Sequence, residues 1–100
     1  MNEKDKTFIK NQVIELLKDE PEVKRIVIFG SFLTSADPHD IDIAIFQNSD
    51  QAYIPLALKY RKKMRALSRK IALDIVPIKE NSVKSQFLLE VNSGENIYER

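Results

Sequence analysis

The chain has 100 residues, of which 43% are hydrophobic and 31% charged, and its formal net charge is +1. This composition indicates one globular domain over residues 1–100 with a modest core, and it excludes a disordered tail or a strongly basic nucleic-acid-binding protein. The absence of cysteine excludes disulfides and thiolate metal sites. No apolar run reaches membrane-spanning length and no signal-peptide core comes after the first residues, so we expect a cytoplasmic protein outside the membrane.

The first predicted element is a helix over residues 6–18. Its apolar residues recur at helical spacing, and Asp5 or Thr7 is placed to cap its start. They are Ile9, Val13, Leu16 and Leu17. Pro21 then stops the helix, because the residue before a proline disfavours helical geometry. We expect this helix to cover the apolar face of a sheet.

A short, β-branched run over residues 26–29 predicts a strand that ends at Gly30 and Ser31. Glycine lets the backbone turn tightly and approach a ligand closely, because it has no Cβ. The residues after it are expected to open a short helical turn whose free N–H groups point at an anion, with the Ser31 hydroxyl as a further donor. A plain strand-ending turn explains Gly-Ser equally well, so this dipeptide gains meaning only from the two aspartates that come later in the chain.

The second predicted strand, over residues 40–46, begins with two carboxylates, Asp40 and Asp42. Side chains alternate across a strand, so these two share one face while the isoleucines between and after them share the other. Two like charges on one face repel each other unless a cation lies there. The pattern therefore predicts a divalent-metal site. His39, the one histidine, is interpreted as a surface residue of the preceding loop.

A longer helix is predicted over residues 54–69, with Pro55 in its first turn. Its apolar stripe consists of Tyr53, Leu56, Ala57, Tyr60, Met64 and Leu67. Its basic residues are Lys59, Arg61, Lys62, Lys63, Arg65, Arg69 and Lys70. A solvated helix face is the simpler interpretation of these charges. The sharper one is an electropositive rim that attracts a nucleoside triphosphate, an RNA end or an acidic partner.

The third predicted strand covers residues 71–78, and Asp74 alternates with its apolar neighbours Leu73 and Ile75. If those neighbours pack inward, Asp74 lies on the same side as the earlier carboxylates. The alternative is an edge strand with a solvent-facing Asp74, and Pro77 does favour an edge. A last helix is predicted over residues 83–91, with Gly94 as its C-terminal cap.

These motifs together resemble the DNA polymerase beta-like nucleotidyltransferase superfamily. The resemblance lies in a strand ending at Gly30 and Ser31, a short loop, and Asp-x-Asp opening the next strand at Asp40 and Asp42. In length the chain is most similar to the minimal nucleotidyltransferase (MNT) family, and a later strand carrying Asp74 also fits. The resemblance implies an α/β (α+β) fold, in which a small mixed sheet of three or more strands has helices on one face and the carboxylates on the other.

The resemblance also implies a function. It implies a metal-dependent enzyme that transfers a nucleoside monophosphate, AMP from ATP, to a hydroxyl of a partner macromolecule. Asp40, Asp42 and Asp74 would bind two Mg²⁺ ions, with Mn²⁺ as a substitute, and Asp74 would also accept the proton of the attacking hydroxyl. Gly30 and Ser31 would bind the β- and γ-phosphates. The implied partner is a HEPN-type toxin, which the chain would AMPylate as its antitoxin; an RNA acceptor and a homo-oligomer stay open.

The same residues allow two alternatives. The family's loop often carries an arginine and a glycine, and residues 32–39 contain neither. A catalytically weak or inactive protein with this fold, which neutralises a partner by forming a complex, is therefore the first alternative. The second is a haloacid-dehalogenase-type phosphatase, which also has an Asp-x-Asp signature. That class places the pair after the apolar run of its strand, whereas here the run comes after Asp42.

Overall fold

The structure is a computed structural model that describes residues 1–79, 89 and 91–100. Helices and strands alternate along most of the chain. In chain order they are α1 (Glu3–Leu17), β1 (Val23–Phe29), α2 (Ser31–Thr34), β2 (Asp40–Gln47), α3 (Tyr53–Lys63), α4 (Arg65–Ser68), β3 (Ala72–Lys79) and β4 (Glu95–Glu99). Within the described ranges, no helix has the length and apolar character that a bilayer crossing requires.

The strands form one mixed sheet in the order β3-β2-β1-β4. β1 pairs with β2 and with β4 in antiparallel fashion, whereas β2 and β3 are parallel and are joined through α3 and α4. The predicted mixed sheet of three or more strands is therefore confirmed. Pro77 lies on β3, which is an edge strand as the proline indicated. β4 was not predicted, because its mostly polar sequence has no clear two-residue alternation.

The main core lies on one face of the sheet, where α1, α3 and α4 cover it. The strands contribute β-branched side chains that are almost completely buried, and the helices contribute the apolar residues of their inward stripes. The buried members are Ile9, Val13, Leu17, Val23, Ile26, Ile28, Phe32, Ile41, Ile43, Ile45, Leu56, Tyr60, Met64, Leu67, Ile71 and Ile75. The prediction that the first two long helices cover a single face is confirmed.

The other face of the sheet has a smaller apolar cluster, placed toward one end of the strands. Its members are Val27, Phe29, Ala44, Phe46, Ile78 and Val91. The guanidinium carbon of Arg25 lies 4.0 Å from the centroid of the Phe46 ring at this end. The candidate site lies on the same face and adjoins this cluster, since Phe29 pairs with Asp42. Most of the helix predicted over residues 83–91 falls outside the described residues.

Three details of the helices differ from the prediction. α1 begins at Glu3 because Asn2 is its cap: the Asn2 side-chain oxygen accepts a hydrogen bond from the backbone N–H of Asp5 at 2.8 Å. Neither Asp5 nor Thr7 has that role. The single helix predicted over residues 54–69 is divided at Met64, whose φ of −100° and ψ of 17° leave the helical region. Tyr53, predicted to face inward, is the first residue of α3 and is 55% exposed.

Candidate functional site

Three carboxylate side chains lie on one face of the sheet at the beginning of β2 and β3. In the parallel register Asp42 is directly opposite Asp74, and Asp40 is opposite Ala72. Residues that are opposite each other on neighbouring strands point to the same face, so Asp40, Asp42 and Asp74 share it. Asp40 and Asp74 are exposed, whereas Asp42 is half-buried. The structure thus gives these three residues the placement that the alternation of β2 and β3 predicts.

The residues between the carboxylates point the other way and anchor the two strands. Ile41 and Ile43 are 0% exposed and Ile75 is 1% exposed, all in the main core. Leu73 is partly buried against the same core. Because this burial would be lost if either strand slipped by one residue, the hydrophobic side of the sheet fixes where the carboxylates lie.

Gly30 and Ser31 lie beside Asp42. Phe29, the last residue of β1, pairs with Asp42 across the antiparallel ladder, and Gly30 comes next with a φ of 80°. This left-handed backbone conformation favours glycine. A Cβ added to Gly30 would also collide with the carboxylate oxygen Oδ2 of Asp42. Glycine therefore permits both the turn and the close approach of Asp42, while Ser31 opens α2 with its side chain exposed.

The segment between Gly30 and Asp40 contains a contact that sequence reasoning missed. The ammonium of Lys6, on α1, donates a hydrogen bond to the backbone carbonyl of Ser35 at 2.7 Å. Lys6 is only 5% exposed. The signal was present in the sequence: Lys6 lies three residues before Ile9, at an inward position of the helical stripe. A lysine at such a position indicates a buried partner for its charge. His39, in contrast, is exposed, as its interpretation as a surface residue required.

The carboxylates supply the oxygen ligands that Mg²⁺ prefers, but their arrangement does not complete an ion site. Among the residues that the structure describes, no three histidine, cysteine, aspartate or glutamate side chains are grouped closely enough to hold a metal ion together. The backbone register aligns Asp42 with Asp74, and the donor chemistry fits, since Mg²⁺ is usually bound by one or two carboxylates together with phosphate oxygens of a substrate. The protein groups alone thus provide part of a coordination shell.

The predicted basic rim on the second helix is only partly present. Lys59 forms ion pairs with Glu20 at 2.8 Å and Glu22 at 3.0 Å, and Lys63 pairs with Glu20 at 3.0 Å. Tyr60, fully buried between them, donates a hydrogen bond to Glu22 at 2.8 Å. The interpretation of Lys59 and Lys63 as part of a free basic surface was wrong, because the two glutamates before β1 neutralise them.

The remaining cations of this region have other surroundings. The Lys70 ammonium lies 4.9 Å from the centroid of the Phe8 ring. Four of the basic side chains predicted for the rim remain exposed and form no ion pair with a described residue: Arg61, Lys62, Arg65 and Arg69. A smaller positive surface on α3 and α4 therefore replaces the larger one expected from the sequence.

The hydrogen bonds and charges of the glutamate–lysine cluster shift the pKa values of its members. The hydrogen bond from Lys59 lowers the pKa of the Glu20 carboxyl, and the same bond raises the pKa of the Lys59 ammonium. Burial, and then the hydrogen bond to Glu22, raises the pKa of the Tyr60 phenol. All three groups therefore keep one protonation state around neutral pH, and the cluster has a structural role in attaching α3 to the turn before β1.

Comparison with known proteins agrees with the geometry. The sequence model of a family described as "Polymerase beta, Nucleotidyltransferase" matches residues 11–100. A chain in the complex of tri-AMPylated HEPN toxin from Shewanella oneidensis with MNT antitoxin is 24% identical, with a TM-score of 0.70 over 95% of this chain and 73% of that one. A chain of a toxin–antitoxin structure with AMP-PNP is 25% identical, with a TM-score of 0.68 over 91% of this chain and 73% of that one.

A third similar structure is the toxin–antitoxin complex MntA–HepT, in which the matched chain is 24% identical and has a TM-score of 0.66. That match covers 94% of this chain and 73% of the other. A comparison with curated proteins found no match. The four-stranded sheet and its helices are thus an architecture shared with chains of these complexes.

Proposed function

This chain belongs to the polymerase beta nucleotidyltransferase family, and we propose that it transfers AMP from ATP to a hydroxyl group of a HEPN-type partner protein, as the antitoxin of a toxin–antitoxin pair. The observation that carries the proposal is the parallel register that places Asp42 opposite Asp74, next to the turn at Gly30. In this proposal residues 1–100 form one minimal nucleotidyltransferase domain.

The carboxylates have distinct roles in this proposal. Asp40 and Asp42 would hold divalent cations together with the phosphates of ATP, and Asp74 would complete the set from the neighbouring strand. Mg²⁺, or Mn²⁺ in its place, supplies neutralisation of the phosphate charge. When the acceptor oxygen forms its bond to the α-phosphorus, the bond to pyrophosphate breaks, and the exposed Asp74 carboxylate accepts the proton of the acceptor hydroxyl.

The turn after β1 is proposed to hold the triphosphate. Gly30 brings its backbone within contact distance of Asp42, so a phosphate bound at this turn lies beside the carboxylates. The Ser31 side chain is exposed at the same point and can donate its hydroxyl to a phosphate oxygen. These two residues thus join the anion-binding and cation-binding parts of the proposed site.

A macromolecular acceptor is supported by the shape and charge of the domain. The described residues provide carboxylates and a phosphate turn, and the exposed cations Arg61, Lys62 and Arg65 form a surface on α3 and α4 suited to an acidic partner. In a similar solved complex, the toxin that accompanies an MNT antitoxin is AMPylated. A protein acceptor of the HEPN type is therefore proposed in preference to an RNA.

A second candidate function is neutralisation by binding alone. Two observations favour it: residues 32–39 contain neither arginine nor glycine, and no three metal-binding side chains among the described residues are grouped together. A protein with this fold that had lost catalysis would still present the exposed basic surface to its toxin. This candidate predicts inhibition that does not depend on Asp42 or Asp74.

The deciding experiment uses the co-expressed HEPN partner, labelled ATP and two substitutions. We expect label to enter the partner with the wild-type protein and to be absent with Asp74→Asn, while the matched variant Asp50→Asn, in the exposed loop after β2, retains transfer. The protein alone should turn over ATP very slowly, because positioning of the acceptor is worth about 7–11 kcal/mol in such reactions. Toxin inhibition that persists in Asp74→Asn without any labelling would favour the binding function.

A further inference from the structure

Lys6 stands out as the one charged side chain that is buried among the described residues. It lies on α1 at an inward position, one turn before Ile9, and Val13 lies one turn after Ile9. Both Ile9 and Val13 belong to the main core. Burial of an ammonium group is energetically costly unless its partners compensate for the lost hydration. A residue retained at this cost is a candidate for a role beyond filling the core.

Among the described residues, the Lys6 ammonium has two partners, and both belong to the segment that starts with α2. It donates a hydrogen bond to the Ser35 carbonyl at 2.7 Å and lies 5.6 Å from the centroid of the Phe32 ring. Ser35 is the residue that ends α2, and Phe32 is 0% exposed within it. One cation on α1 therefore contacts both the buried side chain and the carbonyl end of α2.

The position of α2 matters because this helix connects the two halves of the proposed site. The backbone N–H of Ser35 donates to the carbonyl of Ser31 at 2.8 Å, and that of Leu33 donates to the carbonyl of Gly30 at 3.3 Å. The four residues of α2 have no side-chain cap at the N-terminus, and a helix this short is not stable by itself. Its place between Gly30 and Asp40 must come from outside contacts, and Lys6 provides a polar one.

We propose that Lys6 is a positioning residue of the nucleotide site: its buried ammonium holds the end of α2 so that Gly30 and Ser31 keep their place beside Asp42. The inference rests on the proposed nucleotide-binding function of that turn. Lys6 does not touch the reacting groups in this proposal; it acts through the Ser35 carbonyl and the Phe32 ring.

Substitution by methionine separates this role from a merely structural one. Lys6→Met keeps an unbranched side chain in the core but removes the ammonium, and with it both the hydrogen bond and the cost of burying a charge. The acceptor that loses this bond is a carbonyl and not a carboxylate, and Ser35 is only half-buried, so water can replace the ammonium and the stability of the whole fold should change little. If Lys6 is a positioning residue, Lys6→Met should therefore reduce the local order of α2 and weaken the binding of nucleotide without lowering the melting temperature of the protein.

The experiment compares the wild-type protein with Lys6→Met, Lys6→Arg and the control Lys10→Met. Lys10 lies one turn later on α1 and pairs with Glu95 at 2.6 Å, away from α2. Hydrogen exchange is measured at the amides of residues 31–37 and 39, since Pro38 has none, and the affinity for AMP-PNP with Mg²⁺ is measured by calorimetry. In Lys6→Met we expect exchange about tenfold faster at the Ser35 amide and affinity about tenfold weaker, the scale of one hydrogen bond to a charged group.

Lys6→Arg, which keeps the charge, should recover part of both losses, and Lys10→Met should match the wild type. If exchange over residues 31–39 and nucleotide affinity in Lys6→Met equal those of the wild type, the proposal is overturned. If the wild type binds no nucleotide, the proposed function fails instead, and hydrogen exchange alone then decides whether Lys6 holds α2. A fall in melting temperature with uniformly faster exchange across the sheet would show a structural role and would also overturn it.

Discussion

The two faces of the sheet use the same strands for different purposes. On the face covered by α1, α3 and α4, the β2 isoleucines are completely buried, whereas on the other face Asp40 and Asp74 are exposed and Asp42 is half-buried. Residues adjacent in sequence thus belong to different environments. The difference implies that stability and activity should separate between neighbouring positions of one strand, and substitutions on each face can test this separation.

The largest effect is expected from a cavity on the covered face. Ile43, next to Asp42 in sequence, is 0% exposed and lies in the main core. Ile43→Ala should lower the free energy of unfolding by about 2–5 kcal/mol, because the transfer energy of the removed methyl and methylene groups is lost and a void remains. Urea denaturation measures the change. The control Ile54→Ala, at a position 68% exposed, should change it by less than about 0.5 kcal/mol.

The next effect concerns the carboxylate face. Asp42→Asn keeps the shape of the side chain but removes the charge, so affinity for Mn²⁺ in the presence of AMP-PNP should fall at least about 100-fold, the upper end of the range for loss of groups that merely support metal ligands. Calorimetric titration measures it, with Asp50→Asn as the control. Equal metal affinity in Asp42→Asn and the wild type would show that this face does not bind the ion.

A third effect tests the contact between the turn and the carboxylate. Gly30→Ala should destabilise the fold by about 1–3 kcal/mol, because a non-glycine residue is strained at a φ of 80° and its Cβ collides with Asp42. In the background Asp42→Ala the collision is removed, so the cost of Gly30→Ala should decrease. A double-mutant cycle by thermal denaturation measures the coupling. Additive effects would mean that Gly30 serves backbone conformation alone.

The smallest effect tests whether charges help to hold the covered face. The hydrogen bond from Lys59 lowers the pKa of Glu20 below its usual range. A carboxyl whose pKa is lower in the folded state stabilises above its unfolded pKa, about 4.3, and that stabilisation is lost as the pH falls through the folded value. Glu20→Gln should therefore reduce the free energy of unfolding by about 0.2–1 kcal/mol at pH 7.

The difference between Glu20→Gln and the wild type should begin to shrink as the pH falls below the unfolded pKa, about 4.3, and should be lost only below the lower pKa of the folded state, where the wild-type carboxyl is itself protonated. Urea denaturation at a series of pH values measures this convergence. Glu3→Gln, at an exposed position of the first turn of α1, provides a comparison outside the cluster. A constant difference across the whole pH range would mean that the side chain contributes by packing and not by charge.

The sequence predicted the covered face well because alternation and helical spacing depend on local pattern. The runs in β1, β2 and β3, the inward residues of α1 and α3, and the shared face of Asp40, Asp42 and Asp74 all result from periodicity. The split at Met64 and the cap at Asn2 were missed, since each depends on backbone angles that compete closely with the predicted alternative. β4 was missed because its pairing with β1 is a long-range property that its own residues do not indicate.

Charge partners were the least predictable part. Lys59 and Lys63 looked like solvent-facing residues of α3, but Glu20 and Glu22 lie more than thirty positions earlier in the chain and neutralise them only in the folded protein. The same applies to Lys6 and Ser35. Periodicity indicates whether a lysine is buried or exposed, whereas the identity of its partner is set by how the elements meet.

The parallel pairing of β2 with β3 has a consequence for the time at which the proposed site arises. A parallel pair cannot close through a tight hairpin and requires a crossover, and here the chain between Asp42 and Asp74 runs through α3 and α4. Contacts of such long sequence separation form slowly. During synthesis, a chain that has been made through β2 but not yet through β3 would contain Asp40 and Asp42 without Asp74. The proposed site therefore depends on the pairing of β2 with β3, and it can form only after the chain has been synthesised through β3.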